Sequence, residues 1–196
     1  MQYRIFDDMT ECSEQEIARL LPLVSDQRRE QALRYKHLFG QYCCLKSYEL
    51  LLKLYNEWSG LQHDRLPEFL YNEHGAPYWV DGPYFSISHT KLAIAVCISE
   101  HPIGIDVEGM RETSDSLMSK AMNPDEVDFI QNSPSPQIEF IRLWTRKEAY
   151  VKMKGTGIIS DLHEILVDML PVTWTEILPE DNEYICTIVE KNEQNQ

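Results

Sequence analysis

Hydrophobic positions change period several times along the chain, and each change predicts an element. Residues 3–6 read as a first strand and 14–21 as a short helix. From 26 to 58, apolar residues recur three and four apart. That spacing predicts a long helix, bent near Gly40, with Leu33, Tyr48, Leu51 and Leu52 on the buried side. The stretch 59–84 is punctuated by Gly75, Pro77, Gly82 and Pro83 and reads as loop. Phe85–Ser88 and Leu92–Ser99 form a predicted hairpin around Ser88-His89-Thr90-Lys91, its second arm apolar enough for a buried central strand. A strand is expected at 103–108. Asn123-Pro124-Asp125-Glu126 has the cap, proline and third-position acid of a helix start. Ser135-Pro136 opens a longer helix that runs to Lys154 and stops at Gly155. Short strands are expected at 162–169, 171–178 and 183–189, with a frayed polar tail over 191–196. Helices and antiparallel strands in blocks indicate an α+β fold.

Composition narrows the partners. With 196 residues and 43% apolar content, the chain supports one core, or two small halves sharing one. Eighteen Lys plus Arg stand against 32 Asp plus Glu, a formal charge of −14. A field of that sign disfavours nucleic acid and anionic membranes. A phosphate-bearing ligand would need a local cluster of bases or a metal ion. The start Met-Gln-Tyr-Arg-Ile-Phe-Asp-Asp lacks the apolar core of a signal peptide, and Leu92–Ile98 is too short to span a bilayer. Five cysteines without C-x-x-C, two of them adjacent at Cys43 and Cys44, suit a reducing cytoplasm.

Three segments carry candidate chemistry. In Gly104-Ile105-Asp106-Val107-Glu108, strand alternation puts Asp106 and Glu108 on one face, their roots roughly 7 Å apart. Two such carboxylates either converge on a hard divalent cation or face water, and the pattern alone favours water. In the helix 136–154, Ile141, Trp144, Glu148 and Val151 share one stripe, which places Glu148 among core-facing residues. Its partner is either Lys152, as an i,i+4 ion pair, or a metal shared with Asp106 and Glu108. In Ser86-Ile87-Ser88-His89-Thr90, His89 is a local turn residue or a phosphate contact; without a G-x-S-x-G elbow, a hydrolase reading is disfavoured. Gly155-Thr156-Gly157 reads as a helix end. Arg28, Arg29, Arg34, Lys36 and Lys46 make a local basic cluster, either solvated or ready to receive a nucleotide phosphate.

Together these segments resemble the Sfp-type 4′-phosphopantetheinyl transferase family. Residues 104–108 fit its G-[IV]-D-[IV]-E element, and residues 144–157 fit W-x-x-K-E-A-x-x-K-x-x-G-x-G at every fixed position. Gly75 and Pro77 followed by residues 85–90 fit G-x-P…F-[NS]-[IL]-S-H-[ST]. The resemblance implies two similar α+β halves, residues 1–100 and 101–196, related by a pseudo-twofold axis with coenzyme A between them. It implies magnesium (or manganese) on Asp106, Glu108 and Glu148, and His89 with Ser88 on the coenzyme A phosphates. It further implies Lys152 on the pyrophosphate, Glu148 as a candidate base, and Arg28 near the nucleotide, with Gln31 where some relatives carry lysine. The implied activity moves 4′-phosphopantetheine from coenzyme A to a serine of an apo acyl, peptidyl or aryl carrier protein, by a cytoplasmic monomer. A metal-dependent phosphoesterase and a non-catalytic coenzyme A- or carrier-binding module are the alternatives.

Overall fold

The predicted alternation of strands is realised in two three-stranded antiparallel sheets, each backed by helices. A computed structural model describes residues 1–157, 162–167, 169–181 and 183–193. In the first half, β1 (Gln2–Phe6) leads through α1 (Glu14–Leu20), α2 (Asp26–Arg34) and α3 (Leu38–Ser59) to the two-residue strands β2 (Leu70–Tyr71) and β3 (Pro77–Tyr78). The hairpin of β4 (Tyr84–His89) and β5 (Ile94–Ser99) follows. The second half runs β6 (Ile103–Gly109), α4 (Asp115–Ala121), α5 (Pro124–Gln131), α6 (Pro136–Lys154), β7 (Val172–Ile177) and β8 (Tyr184–Lys191). Strand orders are β1–β5–β4 and β6–β8–β7. In both, the last strand of the half lies centrally, with the first strand and the hairpin partner at its edges.

Alternation along β5 serves two cores at once. Ile94, Val96 and Ile98 point into the cluster formed with α1, α2 and α3, beside Leu20, Tyr48 and Leu51. Ala93, Ala95 and Cys97 point the other way and pack on Ile103, Ile105, Val107, Cys186 and Ile188 of the second sheet. Those three side chains are small, so the second sheet can approach closely. On β8, Ile185 and Val189 turn toward the helices of the second half. The edge strands β4 and β6 meet through serines: Ser86 Oγ accepts the Ile105 N–H at 3.2 Å and Ser88 Oγ accepts the Val107 N–H at 3.3 Å. These hydroxyls satisfy backbone donors that an edge strand would otherwise leave open.

Several expectations are corrected. The helix predicted over 26–58 is two helices, interrupted at 35–37 rather than bent at Gly40, because Tyr35 and His37 are both extended. Tyr48 and Leu51 are buried as expected, Leu52 is half-buried, and Leu33 is exposed because α2 turns only Arg28 and Ala32 inward. The loop 59–84 contains the small β2–β3 pair, and α4 was not expected at all. The strand expected at 162–169 is instead a 3₁₀ turn at Leu162–Glu164 followed by further turn, with Asp168 outside the described residues. There the Leu162 carbonyl accepts a hydrogen bond from Lys147. The tail is tied as far as Asn192, whose N–H donates to the Pro171 carbonyl. The other elements match, including the capping box of Asn123 and Glu126 and the left-handed Gly155 (φ 66°) ending α6. All five cysteines are free, and among the described residues no helix is long and apolar enough to cross a membrane.

Candidate functional site

The site is built where α6 lies on β6. A Cβ at Gly104 would fall 1.9 Å from the Ala149 carbonyl oxygen and 2.6 Å from the Met153 nitrogen, so only glycine permits this contact. Asp106 and Glu108 share the Gly104 face and therefore look toward α6. Lys152 Nζ donates to Asp106 Oδ1 at 2.7 Å and to Ser88 Oγ at 2.9 Å, and the Ser88 hydroxyl donates to the same Oδ1 at 2.8 Å. Trp144 Nε1 donates to Glu108 Oε1 at 3.2 Å, and Arg111 stands 4.0 Å from the other oxygen of that carboxylate. The water-facing alternative for Asp106 is thereby corrected: the residue is 4% exposed, because α6 covers it. Glu148 is half-buried, at the rim of its helix stripe rather than in the core. Lys152, one of the two partners weighed for Glu148, makes its ion pair with Asp106 instead.

Electrostatics bind the acids into one cluster. Burial first, then the charge of Asp106, pushes the Glu108 carboxyl above the ordinary value, against Arg111, Trp144 and Lys152. Burial and Asp106 likewise raise Glu148; Lys152 opposes the shift and Glu108 adds to it. Asp106 Oδ2 is buried with no hydrogen-bond partner. An orphaned carboxylate oxygen beside two mutually repelling carboxyls suits a hard cation. No ready-made cage exists: among the described residues, no group of three or more His, Cys, Asp or Glu is arranged to hold a metal. Asp106 Oδ1 is paired with the ammonium of Lys152.

A cleft of about 680 Å³ opens beside this cluster, walled by residues 76–80 and 82–85 on one side and by Lys152, Met153, Lys154 and Gly155 on the other. It adjoins a second lobe of about 310 Å³ that reaches Ser86, Glu148, Val151 and Gly157. Ala76, Pro77, Phe85, Lys152 and Gly155 line both. Of the expected residues, Glu148 and Lys152 thus face the cleft, with Ser88, Asp106 and Glu108 behind them. His89 ends β4 with its ring edge-on to Phe39, centroids 6.3 Å apart. Although it reaches solvent, crowding around its ring, then the charges of Lys152 and Arg28, lowers its imidazole below the usual value.

The expected basic cluster does not form a surface. Arg28 is 8% exposed and spends three donors internally, on the Cys44 carbonyl, Gln31 and Ser47. Lys46 is buried among Glu11, Glu16 and Glu49. Arg29 bonds the Leu21 carbonyl and Asp26, while Arg34 and Lys36 stay exposed. Sequence reasoning also missed Lys147, which is 1% exposed and whose ammonium donates to the Ala121 carbonyl, Glu126 and the Leu162 carbonyl. Its one signal was its fixed place before Glu148 in the helix motif.

Comparison with known proteins points to one family. The 4′-phosphopantetheinyl transferase superfamily matches residues 102–190, the segment that holds Asp106, Glu108, Glu148 and Lys152. The 4′-phosphopantetheinyl transferase gsp of Aneurinibacillus migulanus is 27% identical over 74% of this chain and 62% of its own length. HetI of Nostoc sp. is 35% identical over 59% of this chain and 57% of its own, and Sfp of Bacillus subtilis 26% over 79% and 70%. The chain therefore spans about three fifths of the first two. The chain is thus similar to several 4′-phosphopantetheinyl transferases, and its residues 102–190 match the pattern of their superfamily.

Proposed function

We propose that this protein transfers 4′-phosphopantetheine from coenzyme A to a serine of an apo carrier protein, with coenzyme A lying in the cleft between two halves related by a pseudo-twofold axis. The observation that carries the reading is Lys152 and Glu148 on one cleft wall, backed by Asp106 and Glu108, in a relative of transferases with that name. The repeated strand order of the two sheets supports the two-half description.

Lys152 has three N–H donors, two of them on Ser88 and Asp106, which leaves one for a pyrophosphate oxygen. A magnesium ion would be held by Asp106, Glu108 and Glu148 together with substrate phosphate, the usual way that ion is bound, and would supply charge neutralisation. The carrier hydroxyl attacks the phosphorus bearing the pantetheine arm, and the bond to the departing adenosine 3′,5′-bisphosphate breaks. Glu148 accepts the hydroxyl proton directly or through one water. Lys152 stays cationic beside the leaving pyrophosphate oxygen and offsets its charge. His89 contacts the coenzyme A phosphates, Ser88 acts beside it by holding the Lys152 ammonium, and Arg28 adds positive potential from behind. The attacking nucleophile belongs to the partner, so this chain needs none.

Incubating an apo carrier protein with coenzyme A, magnesium and this protein, then weighing the carrier by mass spectrometry, tests the reading. Gain of one phosphopantetheine is expected. An unmodified carrier with coenzyme A cleaved would indicate a phosphoesterase, and no change in either would leave a binding module.

A further inference from the structure

The cleft has one wall from each half of the chain, and the Asn72 side chain bridges its mouth. Asn72 Nδ2 donates to the Gly155 carbonyl at 2.7 Å, across the mouth between the loop 72–77 and the end of α6. The same amide organises its own loop: Oδ1 accepts the His74 N–H at 3.0 Å and the Ala76 N–H at 2.9 Å. The Asn72 N–H donates to the Ala76 carbonyl, and the Gly75 N–H donates to the Asn72 carbonyl, closing a tight turn. Gly155 is in the left-handed conformation just past the helix, where carbonyls lack helical partners and accept such a bond. Residues 71–75 are exposed; the β2–β3 pair closes the base of this loop, the Tyr71 hydroxyl bonds Gln31, and the Asn72 amide bonds it to α6. Ala76 and Pro77 from the loop, and Lys152 and Gly155 from α6, line both lobes.

We propose that Asn72 is a positioning residue: it straps the loop 72–77 onto the end of α6 and thereby sets the separation of the cleft walls at Lys152. This rests on the coenzyme A reading of the cleft. The strap holds a preformed gap, so coenzyme A binds without first ordering the loop, whereas the carrier meets the site from outside and is indifferent to it.

Asn72→Asp isolates the effect. Asp keeps an oxygen for the His74 and Ala76 N–H groups but has no donor for the Gly155 carbonyl. Asn72→Ala lacks all three bonds and adds no charge. Calorimetry with coenzyme A, steady-state kinetics and amide hydrogen exchange over 72–77 are read on the full chain. Both variants are expected to weaken coenzyme A binding about tenfold, equivalent to about 1.4 kcal/mol. They should also raise KM for coenzyme A with KM for the carrier unchanged, and speed exchange in the loop. Unchanged exchange overturns the strap. So does faster exchange with unaltered coenzyme A affinity, or weakening in Asp alone, which would be a charge effect. If the unmutated protein binds no coenzyme A, the functional reading falls instead, and exchange alone then decides whether the strap exists.

Discussion

At Glu148 the raised carboxyl gives a direct test. A carboxyl raised in the fold is penalised when ionised; that penalty is absent below the unfolded value of 4.5 and complete above the folded one. Glu148→Gln is therefore expected to stabilise the metal-free protein at pH 7.5, with the gain shrinking as the pH falls toward 4.5. Transfer should drop at least about a hundredfold, some 2.7 kcal/mol. Urea unfolding with a chelator, at both pH values, checks the first part. A less stable variant at pH 7.5 would mean that Glu148 is an attractive partner rather than a crowded one. Asp106 behaves differently because it is buried and paired. Asp106→Asn should cost about 1–2 kcal/mol, discounted from a fully buried pair because the Lys152 side chain is 30% exposed. It should also abolish transfer. A loss of activity under about tenfold would remove Asp106 from the site.

Two of the contacts that hold helix α6 can be broken separately. Gly104→Ala drives a methyl into the backbone at Ala149, which cannot yield as a side chain would. Destabilisation of about 3 kcal/mol or more is expected by denaturant titration, at the upper end for overpacking. On the far side, Lys147 gathers the end of α4, the start of α5 and the turn at Leu162. Lys147→Met leaves the Glu126 carboxylate and two carbonyls without their shared donor and should cost about 3–5 kcal/mol. A variant as stable as the parent would show the buried ammonium to be dispensable. The sequence exposed the helix and its caps through local spacing, yet ranked Glu148, not Lys147, as the buried charge. Periodicity assigns a face but not its cover, and Lys147 finds its partners 26, 21 and 15 residues away.

The halves share a core between their sheets, so they should unfold together. Trp58 and Trp79 report on the first half, Trp144 and Trp174 on the second. Replacing either pair by Phe gives two proteins whose fluorescence transitions are expected to coincide with each other and with circular dichroism. Separate midpoints would show two independent units and contradict the coupling through Ala93, Ala95 and Cys97. The sequence by itself determined the α+β class, the start of α5, both ends of α6, the paired acids of β6 and the cation one helical turn beyond Glu148, because each depends on neighbours a few residues apart. Tertiary structure alone decided that β1 pairs with β5 and β6 with β8, since those ladders join residues 75 to 96 positions apart. It alone turned Arg28 and Lys46 inward, drew Lys152 onto Asp106 rather than Glu148, and brought Asn72 against Gly155. Burial and long-range pairing depend on what the rest of the chain lays over a residue, and no local pattern of hydrophobic and polar positions carries that information.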